Sequence, residues 1–160
     1  MTQPEHQVCL LLGSNIQPEK NLALGMDLLR QKVKIIRSSS VWESPSVGSS
    51  GPDFLNVAVM VITQMEVVEL KENVLRPLEG QLGRVRSQDK NAPRPIDVDI
   101  ILFDRRLVDP NLFLYAHRAV PVADLLPDFP SPQGRTLAEI ASELAKNTPI
   151  RLKPKILIDS

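Results

Sequence analysis

The sequence predicts an α+β fold: a ferredoxin-like βαββαβ core on an antiparallel sheet, extended by a C-terminal hairpin, helix and strand. Three observations predict it. Apolar runs of strand length fall at 7–12, 34–42, 54–63 and 94–103. Stripes at helical spacing separate the first run from the second and the third from the fourth. The loops between them are shaped by proline, which outnumbers glycine by 14 to 7, and each proline fixes its own φ and restricts its predecessor.

The elements follow in order. "QVCLLL" (7–12) is continuously apolar, as in a central strand covered on both faces. "GSNIQP" turns the chain, and Pro18 suits the first turn of a helix whose buried stripe is Leu22, Met26, Leu29 and Val33. "KIIRSSSVW" (34–42) reads as a strand, followed by a loop over 43–53 and a strand antiparallel to it, "FLNVAVMVIT". Thr63 to Glu66 has the pattern of a capping box, opening a helix that buries Val67, Leu70, Val74, Leu78 and Leu82. Pro77 lies inside that helix and is expected to kink it. A long loop, 83–95, leads to "RPIDVDIILF". The resulting order, β-α-β-β-α-β, is the ferredoxin-like arrangement. Beyond it come a hairpin strand at Arg106–Val108, a loop holding His117, a helix capped by Thr136 and Glu139, and a strand in "IRLKPKILI".

At 160 residues the chain is read as one domain, 1–160, large enough for a real core. The 19 basic residues cancel the 19 acidic ones, so no global field draws it to nucleic acid or membranes. An RNA-binding ferredoxin-like module would need sheet-face aromatics and a basic surface, and aromatics are only 4% of residues. The single Cys9, inside "VCLLL", excludes a disulfide framework and reads as a core thiol. With no signal-like start and no run long enough to span a bilayer, a cytoplasmic protein is expected, as a monomer or weak homodimer.

The chemistry gathers at the last core strand. Residues two apart on a strand share a face, so Asp97, Asp99, Ile101 and Phe103 are expected on one side, with Ile96, Val98, Ile100 and Leu102 on the other. The two carboxylates then stand roughly 6–7 Å apart and repel each other unless a cation meets them. Immediately upstream, "GRVRSQDKNAPRP" carries Arg84, Arg86, Lys90 and Arg94. A cationic loop feeding paired carboxylates suits a metal–polyphosphate substrate, because carboxylates hold Mg²⁺ and arginines grip phosphate oxygens in pairs. The same ingredients also make a plain ion-pair network.

"KNAPRPIDVDII" (Lys90 to Ile101) resembles the signature of the 6-hydroxymethyl-7,8-dihydropterin pyrophosphokinases: a basic residue, a small residue, Pro-Arg, then Asp-aliphatic-Asp and two aliphatics. "LLLGSN", "WESPSVGSSGPDFLNVAV" and "EGQLGRVR" resemble further parts of that family, over about residues 7–145. The resemblance implies transfer of a diphosphate from ATP, the co-substrate, to the hydroxymethyl group of 6-hydroxymethyl-7,8-dihydropterin, with release of AMP. It implies two Mg²⁺ ions on Asp97 and Asp99, and catalytic roles for Arg84, Arg86 and Arg94. Pterin-binding roles fall on Ser44, Pro45, Val47, Phe54 and Asn56. Nucleotide-binding roles fall on Glu79, Arg84, Arg86, Arg94, Ile100, His117 and Arg118. Three departures stand out: Asn91 where the family often has tryptophan, Pro77 just before Glu79, and a shortened segment after His117. They leave open a second reading, a nucleotide-binding relative with altered or lost pyrophosphokinase activity.

Overall fold

The computed structural model of the chain describes residues 3–46, 51–84 and 93–153. Its sheet has the strand order β6-β5-β1-β4-β3-β7, with β2 also paired to β4, and every pairing is antiparallel. β1 (His6–Ser14) is central, between β4 (Phe54–Thr63) and β5 (Asp97–Phe103). Its apolar run is continuous because both faces are covered. Val8, Leu10 and Leu12 enter one hydrophobic cluster, Cys9 and Leu11 the other. Burial pushes the Cys9 thiol up to about 12, so it is an inert core group.

The first cluster is closed by α1 (Pro18–Arg30), through Leu22, Met26 and Leu29, and by a second helical segment through Leu70, Val74, Leu75 and Leu78. That segment is α2 (Val67–Leu70), a π-helical turn (Lys71–Leu75) and α3 (Arg76–Gln81). The expected Pro77 kink is therefore absorbed by widening the turn ahead of it, one of the recognised ways a helix accommodates a broken hydrogen-bond ladder. On the other face lie a 3₁₀ turn (Pro110–Phe113), α4 (Ala116–Leu125) and α5 (Leu137–Lys146).

Several sequence expectations need correction. The strand expected over 34–42 is two, β2 (Lys34–Ser38) and β3 (Trp42–Ser44), and β3 enters the expected loop. Ser39 causes the break: its N–H donates to the Ala58 carbonyl at 2.8 Å while its hydroxyl accepts from the Ala58 N–H at 2.8 Å. The capping box sits at Glu66 and Glu69, not Thr63 and Glu66, and the Thr63 hydroxyl accepts from the Met65 N–H at 3.1 Å instead. His117 is in the first turn of α4, not in a loop, even though Pro121 lies within that helix. The expected strand faces hold at Asp97 and Asp99 but fail further on. The register shifts between Cys9 and Leu10, which pair with Leu102 and Ile100. This bulge at Ile101 sends both Ile101 and Leu102 to the second cluster and Phe103 to the first. β6 is Arg106–Leu107 and β7 is Arg151–Leu152, while 154–160 lie outside the described residues.

Candidate active site

The aspartate strand delivers its carboxylates between guanidinium groups. Asp97 accepts from Arg84 and, at 3.3 Å, from Arg94. Asp99 accepts from Arg118 at 3.3 Å. Two further carboxylates stand behind these arginines. Glu79 accepts from Arg84 at 3.0 Å and from Arg76 at 3.3 Å, and Asp109 pairs with Arg118 at 2.7 Å. Each strand aspartate thus shares its arginine with a second acid outside the strand.

Glu79 has another partner. Its Oε2 accepts from the Val98 N–H at 2.9 Å, the amide between the two aspartates. Burial raises the Glu79 carboxyl above its usual range, an effect opposed by the Val98 amide and by Arg84. Burial, and then repulsion from Asp97, lift Asp99 to about 6 in spite of Arg118. Asp99 is therefore an acid short of positive charge. Among the described residues no third metal-binding side chain completes an all-protein cage. Two adjacent carboxylates fit Mg²⁺, which is commonly held by one or two carboxylates together with substrate phosphates.

A cavity of about 440 Å³ opens over this pair and includes Ser44, Pro45, Phe54, Asn56, Arg94, Asp97, Asp99, His117 and Arg118 in its lining. Four of the five residues expected around the pterin are thus brought together. The fifth, Val47, and Arg86 lie outside the described residues, as do Lys90 and Asn91. Asn56 is buried and its orientation is fixed, because its amide NH₂ donates to the Trp42 carbonyl at 3.0 Å and to the Ser44 hydroxyl at 2.8 Å. His117 is held down at about 4, by burial and then by the Arg118 charge, so it faces the cavity as a neutral imidazole at neutral pH.

A second cavity, about 340 Å³, adjoins the first at Asp99, Asn111 and Arg118. Its walls are apolar and polar in about equal measure: Val67, Leu75, Val98, Ile100 and Val108 form the apolar part, and Lys71, Arg76, Asp109 and the three shared residues form the polar part. Ile100, expected near the nucleotide, lies here. Glu79 and Arg84 line neither cavity and act from behind Asp97.

Sequence reasoning missed Asn15, Asp109, Asn111 and Tyr115. Tyr115 and Asn111 line the first cavity, the tyrosine ring 5.5 Å from that of His117. Asn15 is buried behind it. Its Oδ1 accepts from the Arg94 N–H at 2.7 Å, its N–H donates to the Arg94 carbonyl at 3.2 Å, and its Nδ2 donates to the Pro52 carbonyl at 3.4 Å. The asparagine after the first strand was the one available signal, since Asn supplies both a donor and an acceptor.

Residues 9–127 match the family model described as 7,8-dihydro-6-hydroxymethylpterin-pyrophosphokinase (HPPK). The 2-amino-4-hydroxy-6-hydroxymethyldihydropteridine pyrophosphokinase of Pseudomonas aeruginosa is 30% identical over 146 residues, spanning 84% of this chain and 89% of its own. The enzyme of that name from Methylorubrum extorquens is 32% identical over 145 residues, spanning 83% and 90%. A crystal structure of wild-type Plasmodium falciparum HPPK-DHPS with pterin and p-hydroxybenzoate superposes with a TM-score of 0.69. At 12% identity that likeness concerns the fold alone, and it spans 91% of this chain but 44% of the longer one. Signature, fold and relatives agree: the chain belongs to the 7,8-dihydro-6-hydroxymethylpterin-pyrophosphokinase family.

Proposed function

We propose that the chain transfers a diphosphate group from ATP to the hydroxymethyl oxygen of 6-hydroxymethyl-7,8-dihydropterin, releasing AMP, as a step of folate synthesis. One observation carries the reading: two cavities of ligand size meet at the carboxylate–guanidinium cluster. The cavity with Phe54, Asn56 and Ser44 takes the pterin, Phe54 offering an aromatic face and Asn56 a fixed amide edge. The cavity beside Ile100, where Val67, Leu75 and Val98 offer an apolar wall, takes the base of the nucleotide. The polyphosphate then lies at their junction, where Arg118 lines both cavities and Arg94 the first.

In the transfer, the hydroxymethyl oxygen loses its proton to solvent and bonds to the β-phosphorus while the bond from that phosphorus to the bridging oxygen breaks, and AMP leaves with that oxygen. The reaction asks chiefly for alignment and charge neutralisation. Asp97 and Asp99 would hold two Mg²⁺ ions, which would supply positive charge against the phosphates. Arg94 and Arg118 contribute fixed positive charge from the protein side. Arg84, paired with Asp97 and Glu79, holds the first aspartate in place.

The test is AMP formation from ATP and Mg²⁺ with and without the pterin alcohol. AMP that appears only with the pterin, in equal amount to a diphosphorylated pterin, is the expected result. Nucleotide binding without AMP would select the relative with lost activity and overturn this reading.

A further inference from the structure

We propose that Asp109 is a positioning residue for this reaction: it holds Arg118 at the junction of the two cavities while Arg118 exchanges Asp99 for substrate phosphate. The inference rests on the diphosphate-transfer reading above and adds a residue to it.

Geometry separates the two acids that share Arg118. Its contact with Asp109 is 2.7 Å, whereas its contacts with Asp99 are both 3.3 Å. Asp109 is also the more fixed of the two. Its N–H and that of Val108 donate to the Ile101 carbonyl at 3.2 and 2.9 Å, which ties the residue to the middle of β5. Its Oδ1 accepts from the Asn111 N–H at 2.9 Å and caps the 3₁₀ turn, leaving Oδ2 for Arg118. The Asp109 side chain is 15% exposed, against 38% for Asp99. A partly buried carboxylate whose other oxygen caps a turn is a stationary partner for a guanidinium at short range, and a more exposed one at longer range is a replaceable partner.

Function needs that difference. A divalent cation on Asp99 competes with Arg118 for the same oxygens. Without another acid, the displaced arginine would be free to sample its many rotamers, and ordering it again on substrate would cost entropy. Anchored on Asp109, it keeps one ion pair while the rest of its planar fork turns to a phosphate oxygen. Asp109 touches only the second cavity and Arg118 touches both, so the acid acts through the arginine and not on the pterin.

The experiment compares wild type with Asp109→Asn, Arg118→Ala and the double variant in steady-state kinetics. Equilibrium binding of a non-hydrolysable ATP analogue is measured in parallel. Asp109→Asn keeps the oxygen that caps Asn111 and removes only the charge, so its melting temperature reports whether the turn survives. Asp109→Asn should lower kcat/KM by about 10–100-fold, as loss of outer-shell partners typically does. In the Arg118→Ala background the same change should have little further effect, and Asp109→Glu should recover part of the loss. An undiminished second loss in the double variant, or wild-type kinetics in Asp109→Asn, overturns the proposal. A binding defect confined to variants that melt early would overturn it as well, by making Asp109 structural. Absence of AMP formation in wild type would instead overturn the functional reading, while the analogue-binding cycle would still measure the Asp109–Arg118 coupling.

Discussion

Asp99 is worse off folded than unfolded, and this separates what the site needs from what the fold would choose. Its carboxyl is raised to about 6, first by burial and then by Asp97. Between its ordinary value and 6 the folded protein therefore binds more protons than the unfolded chain, and stability falls as pH rises through that window. Above 6 the penalty is complete. Asp99→Asn should abolish turnover yet raise the metal-free melting temperature at pH 7 by a small amount, since solvent screens a half-exposed group. A lower melting temperature in EDTA would contradict the account of Asp99 as an acid awaiting a cation. For Arg94, which lines the first cavity and contacts Asp97 at 3.3 Å, replacement by lysine should depress kcat more than nucleotide affinity. Lysine keeps the charge but not the fork. Unchanged kcat in Arg94→Lys would reduce the residue to a diffuse positive charge.

At the scale of elements, the far end of β1 carries its own electrostatic joint. His6 Nδ1 lies 2.6 Å from Asp104 Oδ2, and Nε2 lies 2.5 Å from Glu66 Oε2. One imidazole ring thereby ties β1 to the turn after β5 and to the start of α2. The hydrogen bond to Asp104 is the main reason the His6 pKa is raised, with burial acting against it. A raised histidine stabilises the fold fully below its unfolded value, and that contribution is lost as pH climbs through the folded one. Urea midpoints should accordingly fall from mildly acidic to alkaline pH, and His6→Gln should remove that component of the slope. A slope that survives the substitution would assign it to another group.

The same scale shows why some elements were legible and others not. β1, α1, β4 and α5 follow from hydrophobic period and turn chemistry, which local sequence carries. The Thr136 box was legible too, with Thr136 Oγ1 accepting from the Glu139 N–H at 3.2 Å and Glu139 Oε1 from the Thr136 N–H at 3.0 Å. The division of β2 from β3 was not, because it depends on Ser39 meeting Ala58 across the sheet. Nor was α4, where Pro121 argues locally for a break and burial of Ala119, Val120 and Val122 outweighs it. The bulge at Ile101 is a property of two strands in register and leaves no mark on either alone. At the site, the signature segment announced Asp97, Asp99 and Arg94. Of the acids behind the arginines, Glu79 was named through the family resemblance and Asp109 was hidden, because it becomes a partner of Arg118 only after the chain has turned through β6.

For the whole molecule, the two cavities share Asp99, Asn111 and Arg118, so occupation of one changes the wall of the other. Pterin and nucleotide should bind with positive coupling, each tightening the other by the same factor. Calorimetric titration of pterin, alone and with a non-hydrolysable ATP analogue plus Mg²⁺, measures that factor. Identical affinities would show the cavities to be independent.

Asn15 gives this arrangement a peculiar genetic signature. Its side chain stands in for a missing main-chain carbonyl opposite Arg94, and its amide reaches the Pro52 carbonyl at 3.4 Å. The segment entering the aspartate strand and the segment entering Phe54 are moored to the same post. A lesion there would read out as two simultaneous ligand defects with the core still intact. An observer following only turnover would file such a mutant under misfolding, whereas its melting curve would remain near that of the parent.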